Sequence, residues 1–582
     1  MSCAGVSDVL MVRQWYPRII LMIKRIMERI MSETVRLSGR ESECVWAPPL
    51  EQRLEWRALG LHGERNLGEA FAQAAAAFPD APLVISTAAG ETRMTLAELH
   101  TRGLALAAAL SAEGLRTGDV LAVQLPNSLE GVLAQRAAAA LGAVFLPIVP
   151  IYGAAELSEI LRDANARMLV LPAATRHGSA QALLDALNPA RTLPGLWRTI
   201  VVGEPASGNA LSWSTLIHEV GSGAGIVLSP SRADADDPAL LIYTSGTTAA
   251  PKGVQHSANT LLAESRTAAQ HRANPLTAQL SPWPTGHIAG LVVLLEHALR
   301  GRPTVLMDAW DPARAAALVE RFEIGASSGT PFHLTALLDA ADAGGLALAT
   351  LHDYLTGAAP VPSALVQRCV ERGIATYRAY GLSEHPTVTL GWTDDALETR
   401  LHTEGSLSAG NQIRTVDEAG CDAPRGEDGE IVTRGPERFL GYRDTALNRA
   451  AFLPGGWFLT GDIGHLDAEG FLHITDRKKD IVNRGGEKIS SREVEEALAL
   501  LPQVAEVAVV GSPDARVGER ICAFVVWREG NPLALDEVAA HFAGLGKARQ
   551  KTPERLEAIA ALPRNAAGKI NKQALRERLR AM

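Results

Sequence analysis

From about Asn66 to Ile474, short apolar runs alternate with helical, alanine-rich segments, and this alternation restricts the fold more than any other feature. Residues 120–125 and 144–149 are continuous apolar runs of strand length, so they read as buried strands. Residues 67–77 and 96–110 read as helices. Strands separated by helices pair side by side in one direction, which predicts a layered α/β architecture with substantially parallel sheets. The chain has 582 residues. A single hydrophobic core stops growing at about 250–300 residues, so more than one domain is expected.

A second unit begins near Asp480. Residues 492–501 and 535–543 read as helices, 504–510 and 521–527 as strands, and the tail from Lys572 is basic. About 100 residues suffice for a small α+β domain. The joint, Asp476-Arg477-Lys478-Lys479-Asp480, is short and charged. Such a joint permits one unit to reorient on the other. The expected fold is a large N-terminal domain of several subdomains followed by a small mobile α+β C-terminal domain. The expected boundaries are 1–31 for an N-terminal extension, 32–478 for the large domain and 479–582 for the small one.

A net charge of −9 argues against a nucleic-acid binder, which carries a basic surplus. The five cysteines, Cys3, Cys44, Cys369, Cys421 and Cys522, are scattered and form no CxxC pair. They read as reduced thiols of a cytoplasmic protein, with no disulfide framework and no zinc site. The longest apolar run, 137–151, is shorter than the roughly 20 residues a spanning helix needs. Pro147 and Pro150 also interrupt it. Near the amino terminus, Ile19, Ile20, Met22, Ile23, Ile26, Met27 and Ile30 oppose Lys24, Arg25, Glu28 and Arg29. That spacing is a basic amphipathic helix, suited to peripheral membrane contact through residues 17–30. The other reading is a loosely attached, disordered extension with Met31 as the true first residue.

The densest chemical signal is Leu241-Ile242-Tyr243-Thr244-Ser245-Gly246-Thr247-Thr248-Ala249-Ala250-Pro251-Lys252-Gly253. An apolar strand runs into hydroxyl residues and glycine, then a lysine. Phosphate oxygens need short-range donors, close backbone approach and a cation, and these residues supply all three. The spacing is not that of the P-loop.

This run resembles the phosphate loop of the adenylate-forming superfamily, and further motifs follow in that superfamily's order from about Asn66 to the end. Thr356-Gly357-Ala358-Ala359-Pro360 resembles its adenine loop. Tyr380-Gly381-Leu382-Ser383-Glu384 resembles its Tyr-Gly-x-Thr-Glu motif, with Ser383 keeping the hydroxyl. The resemblance implies that Tyr380 stacks on adenine, that Ser383 meets the α-phosphate and that Glu384 holds Mg²⁺. Trp457-Phe458-Leu459-Thr460-Gly461-Asp462 resembles the ribose motif, with Asp462 on the sugar hydroxyls and Arg477 on the other side. Lys479 occupies the hinge position. Gly486, in Gly486-Glu487-Lys488-Ile489, stands where the pantetheine arm of coenzyme A passes, although a glycine there also suits an ordinary turn. Pro563 to Ile570 resembles the carboxy-terminal motif whose lysine, Lys569 here, drives adenylation.

The implied activity is that of an acyl-CoA synthetase. It uses ATP, Mg²⁺ and coenzyme A to convert a carboxylic acid to an acyl-adenylate and then to a thioester. The implied catalytic residues are Lys569, Glu384 and Thr244. Nucleotide and coenzyme A contacts fall to Ser245, Gly246, Thr247, Thr248, Lys252, Gly357, Ala358, Ala359, Tyr380, Gly381, Ser383, Asp462, Arg477 and Gly486. The acid pocket is expected around Trp283, His287, Thr330, Phe332 and His385; a structural histidine fits His287 equally. The segment Ser281-Pro282-Trp283-Pro284-Thr285-Gly286-His287 lacks the aspartate that amino-acid activators carry. The expected substrate is therefore a hydrophobic monocarboxylic acid, with fatty, alicyclic and aryl acids all open. Three rivals remain: a ligase loading a carrier protein in trans, a non-catalytic nucleotide-binding protein and a membrane-interaction protein led by residues 17–30. The oligomeric state is left open.

Overall fold

A computed structural model describes residues 46–175, 178–203, 210–221, 231, 233–244, 251–270, 277–359, 361–528, 532–565 and 568–581. The amphipathic segment 17–30, the hydroxyl residues Ser245, Gly246, Thr247 and Thr248, and Cys3 and Cys44 lie outside the described residues.

Two large sheets carry the N-terminal region, one of nine strands and one of eight. In the first, Ala375–Leu382, Asp353–Gly357, Ala326–Gly329, Gln279–Ser281, Thr304–Met307 and Pro82–Thr87 run parallel, in that spatial order. In the second, Pro238–Thr244, Val144–Pro147, Val120–Val123, Ala166–Pro172 and Arg198–Val202 run parallel. The strands are short and buried on both faces, as parallel strands covered by helices must be. The expected helix 67–77 is Leu67–Ala77, capped by Asn66, whose side chain accepts from the Glu69 amide. The expected helix 96–110 runs two residues further, as Leu96–Ala112, and starts on a Thr95–Glu98 capping box.

The alanine richness has a packing consequence. The helices Leu96–Ala112 and Leu129–Leu141 lie against each other, and Ala107, Ala134, Ala137 and Ala138 on them are all 0% exposed in one core cluster. Small side chains let the two backbones approach closely, at the cost of leaving no room for a larger residue.

The C-terminal unit is a five-stranded sheet with helices against both faces. Val504–Asp514 and Gly518–Trp527 form its central hairpin, and Arg555–Ala558 pairs parallel to the second strand. Both strands extend beyond the expected runs because the hairpin continues to the turn at Gly518. Ser491–Ala499, Leu535–Gly544 and Lys572–Ala581 are its helices.

This unit is docked onto the N-terminal region across the charged joint. The Ser491 amide donates to Asp476 Oδ2 at 2.6 Å, Ser490 Oγ donates to the Thr475 carbonyl at 3.0 Å, and Arg492 donates to the Ile474 carbonyl at 2.7 Å. Lys478 pairs with Glu430 at 2.7 Å. Arg576, on the last helix, bonds Asp480 and the Lys479 carbonyl. Among the described residues no helix is long and apolar enough to cross a membrane.

The close helix crossing generates a stability prediction. Ala134→Leu inserts a branched side chain where exposure is 0%, and overpacking of this kind costs about 1–3 kcal/mol. The expected outcome is a lower urea midpoint with native secondary structure retained, read by circular dichroism; an unchanged midpoint contradicts it.

Candidate functional site

In open α/β sheets, ligands bind outside the carboxyl ends of the parallel strands. Thr244, Trp283, Thr330, Gly357 and Ser383 all lie at or just beyond such ends. Together they border one cleft of about 2560 Å³ between the N-terminal region and the C-terminal unit.

Thr244 and Lys252 face each other across an antiparallel pair, Pro238–Thr244 with Lys252–Ser257, and so bracket the hydroxyl loop. Tyr243 donates to Asp163 Oδ2 and fixes the strand end. Asp353–Gly357 delivers the adenine-loop candidates Gly357, Ala358 and Ala359 to the cleft. Ala358 has φ +63°, a left-handed conformation for a residue with a Cβ. Strain of this kind costs about 1–3 kcal/mol and clusters at ligand sites.

The strand Ala375–Leu382 has a register shift between Tyr380 and Leu382 before the chain turns back at His385. Gly381 makes that turn possible. A Cβ there would stand 1.7 Å from the Pro386 carbonyl oxygen. The turn aims Glu384 into the cleft, where its Oε1 accepts from the Tyr442 hydroxyl at 2.7 Å. Burial raises the Glu384 pKa, opposed by Tyr442 and by the positive charge of Lys252 and Arg477. His256, fully buried, faces the Ser383 carbonyl through Nε2 at 2.7 Å. Because a carbonyl only accepts, Nε2 carries the proton. Burial pushes the His256 pKa down to about 4, so the ring is neutral and acts as a strut.

Asp462 and Arg477 are register partners on adjacent strands, joined at 2.9 Å. The Tyr380 hydroxyl donates to the other Asp462 oxygen at 2.8 Å. This one carboxylate therefore ties the adenine candidate to the hinge strand.

Lys569 reaches the same place from the C-terminal unit. Its amide donates to Asn565 Oδ1 at 3.0 Å. The preceding Gly568 sits at φ +74°, with its Cβ position 3.3 Å from the Phe332 ring and 3.5 Å from Thr330 Oγ1. The tight approach seats the lysine loop on the segment Thr330–His333. Burial and the nearby Arg477 lower the Lys569 pKa to about 8, against the pull of Asp462 and Glu384. Arg564 covers the Phe332 ring at 4.8 Å, closing the contact.

The acid-pocket candidates Trp283, His287, Thr330 and Phe332 line the cleft. Asn127 holds the first segment by donating to the Trp283 and Met307 carbonyls at 2.8 and 2.9 Å and accepting from the Thr285 amide. Trp283 Nε1 donates to Ser328 at 3.1 Å. Burial and the Lys569 charge lower the His287 pKa to about 4, so the ring is neutral.

Two candidates are not in the cleft wall. His385 turns away: its Nδ1 meets Thr433 Oγ1 and its Nε2 meets Asn411 Oδ1, both at 3.1 Å, with the ring 0% exposed. The tight turn after Gly381 sends the Glu384 and His385 side chains to different sides, so His385 is a structural residue and not part of the acid pocket. Gly486 lies on the hairpin Val482–Arg484 with Glu487–Ile489, outside the cleft lining. Sequence reasoning missed Tyr442, Asn127 and His256, whose roles depend on contacts across 58, 156 and 127 residues of chain.

Among the described residues no cluster of three or more His, Cys, Asp or Glu side chains can hold a metal ion. One buried carboxylate, Glu384, with open lone pairs fits an ion bound mostly by substrate phosphates and water, the usual habit of Mg²⁺.

Comparison with known proteins shows the family. The family described as AMP-binding enzyme matches residues 71–443, and the AMP-binding enzyme C-terminal domain matches residues 493–569. The chain is 35% identical over 539 residues to a medium-chain fatty-acid–CoA ligase of Escherichia coli (strain K12), covering 90% of this chain and 93% of that protein. It is 32% identical to a 2-hydroxy-7-methoxy-5-methyl-1-naphthoate–CoA ligase of Streptomyces carzinostaticus, over 94% of this chain and 98% of that protein. The crystal structure of ATP-bound MatB from Rhodopseudomonas palustris superposes with a TM-score of 0.77 at 28% identity, over 88% of this chain and 99% of that one. The chain belongs to the AMP-binding enzyme family and is an acyl-CoA synthetase, an AMP-forming acid–thiol ligase.

Two predictions follow from the Asp462 and Lys569 environments. Asp462→Ala removes the anchor of Tyr380 and Arg477, and is expected to raise the KM for ATP about ten- to hundredfold; an unchanged KM makes Asp462 a turn residue only. A lysine with a pKa of about 8 loses its charge as pH rises through that value. The kcat/KM for ATP in pyrophosphate exchange is therefore expected to fall above pH 8, since this ratio reports groups of the free enzyme. A flat profile to pH 9.5, an arbitrary limit about 1.5 units above that pKa, contradicts the assignment.

Proposed function

We propose that this cleft activates a hydrophobic monocarboxylic acid by attack of its carboxylate on the α-phosphate of ATP. The products of that step are an acyl-adenylate and pyrophosphate. The observation that carries the reading is the convergence of Glu384, Asp462, Arg477 and Lys569 in one cleft, with Lys569 supplied by the other unit.

Negative charge concentrates on the phosphate oxygens as the acid attacks. Preorganised cations and donors in a partly dry site stabilise that charge more than water does. Lys569 and Lys252 are the cations; Thr244 and Ser383 are the hydroxyls. Glu384 would hold Mg²⁺, which would supply further charge neutralisation at the phosphates. Tyr380 and the loop Gly357–Ala359 would take the adenine, and Asp462 the ribose hydroxyls, its two oxygens matching two donors. His287 and His333, both lowered to about 4 by burial, present neutral rings rather than positive charge beside the acid.

The second step delivers the coenzyme A thiol to the same carbonyl carbon. Lys569 fills the space beside that centre here, while Gly486 is outside the cleft. Rotation of the small unit about Lys479 would withdraw Lys569 and bring the Gly486 hairpin in. The N-terminal region with its joint, 32–478, and the rotating unit, 479–582, are the domains of that mechanism. The medium-chain and naphthoate ligases support an apolar acid, with fatty, alicyclic and aryl classes all within reach. The described cysteines Cys369, Cys421 and Cys522 are free, which supports a reducing, cytoplasmic compartment.

The two steps separate by mutation. Lys569→Ala is expected to slow acyl-adenylate formation about 10²–10³-fold while sparing thioester formation from a supplied acyl-adenylate. Gly486→Leu is expected to do the reverse, because a bulky side chain blocks the thiol path without touching the phosphates. Single-turnover kinetics of each half-reaction tests this, and equal losses in both steps for both variants refute the rotation.

A further inference from the structure

Away from the reacting centre the cleft is bordered by the helices Ala258–Gln270 and Ile288–Arg300, which contribute Glu264, Val292 and Val293, with Thr387 also lining it. Glu264 is 0% exposed. Its Oε1 accepts from Thr387 Oγ1 at 2.7 Å, and apart from the neighbouring Glu437 carboxyl no donor reaches its Oε2.

Two neighbouring carboxyl groups define the charge of this corner. Glu437, also 0% exposed, adjoins Glu264, with Thr267 and Asn411 beside it. Burial and the pair's proximity raise Glu437 well above the usual carboxylate range, and burial raises Glu264. Two carboxyl groups this close hold one proton between them. Glu296 lies on the facing helix, but Arg302 at 3.1 Å offsets it. The corner therefore keeps one carboxylate charge in excess among buried side chains at the cleft wall. An alkyl terminus pressed against it would bury that charge against hydrocarbon, offset only by Thr387 and the shared proton, which is costly.

We propose that Glu264 is a specificity-determining residue: the preferred acid carries a hydroxyl on the end of its apolar body remote from the carboxylate and donates it to Glu264. This rests on the acid-activating reading above and narrows its substrate class. A neutral donor is favoured over an ammonium group, because a cation would lose its own hydration in the same buried corner.

The test is acid-dependent AMP release by the full chain with coenzyme A present. The substrates are straight-chain and alicyclic acids of increasing length, each unsubstituted, with a distal hydroxyl or with a distal amine. The wild type, Glu264→Gln and Glu264→Leu are compared. The wild type is expected to favour a hydroxy acid over its unsubstituted partner about ten- to hundredfold in kcat/KM. Glu264→Leu is expected to reverse that order. Glu264→Gln, which keeps volume and an acceptor for Thr387, is expected to fall between them and so guards against misfolding of the leucine variant. A wild-type preference for the unsubstituted acid, with the same ratio in both variants, overturns the inference and leaves the acid-activating function standing. A preference for the distal amine overturns the choice of a neutral donor. No AMP release with any acid overturns both.

Discussion

The active arrangement depends on one electrostatic constraint: the Lys569 ammonium, carried by the C-terminal unit, is held beside Asp462, Arg477 and Glu384 of the N-terminal region. A cation placed next to Arg477 in a partly dry cleft is costly on its own. Asp462 and Glu384 compensate, and Asp462 is already engaged by Tyr380 and Arg477. The cost falls further when phosphate oxygens arrive between these groups. The site is thus poised for a polyanion, which is what a nucleotide triphosphate supplies.

Such an arrangement holds only if the two units meet in one orientation. The hydrogen bonds of Ser490, Ser491 and Arg492 to the strand before the joint fix it. Arg576 ties the start of the C-terminal unit to its last helix by bonding Asp480 and the Lys479 carbonyl. These are polar contacts, some part-buried and the Ser491–Asp476 pair buried, with no apolar packing among them. A joint held by several polar contacts can release and re-form, whereas one buried in apolar packing would not. Docking chemistry and the proposed rotation are therefore compatible.

Much of this was legible in the sequence because it is local. The helix Leu67–Ala77 announces itself through Asn66 and Glu69, and the hydroxyl-rich run and the Tyr380–Glu384 motif are contiguous. His385 shows the limit. Adjacent residues in a tight turn can point to opposite sides, and only the partners Thr433 and Asn411 reveal which way the ring goes. Tyr442, Asn127 and His256 were invisible for the complementary reason: each acts on a residue more than 50 positions away, and no periodicity encodes such a meeting. Glu264 looks like a helix-surface glutamate in the sequence, and becomes conspicuous only when its burial beside Glu437 is seen.

The central claim is that a carboxylate oxygen of the acid attacks the α-phosphate. The direct measurement is mass spectrometry of AMP formed from an acid whose carboxylate carries heavy oxygen. Attack on the α-phosphate predicts that one labelled oxygen appears in AMP after the thioester forms, because the bridging oxygen leaves with the phosphate. Label found in pyrophosphate or inorganic phosphate, with none in AMP, would contradict the account.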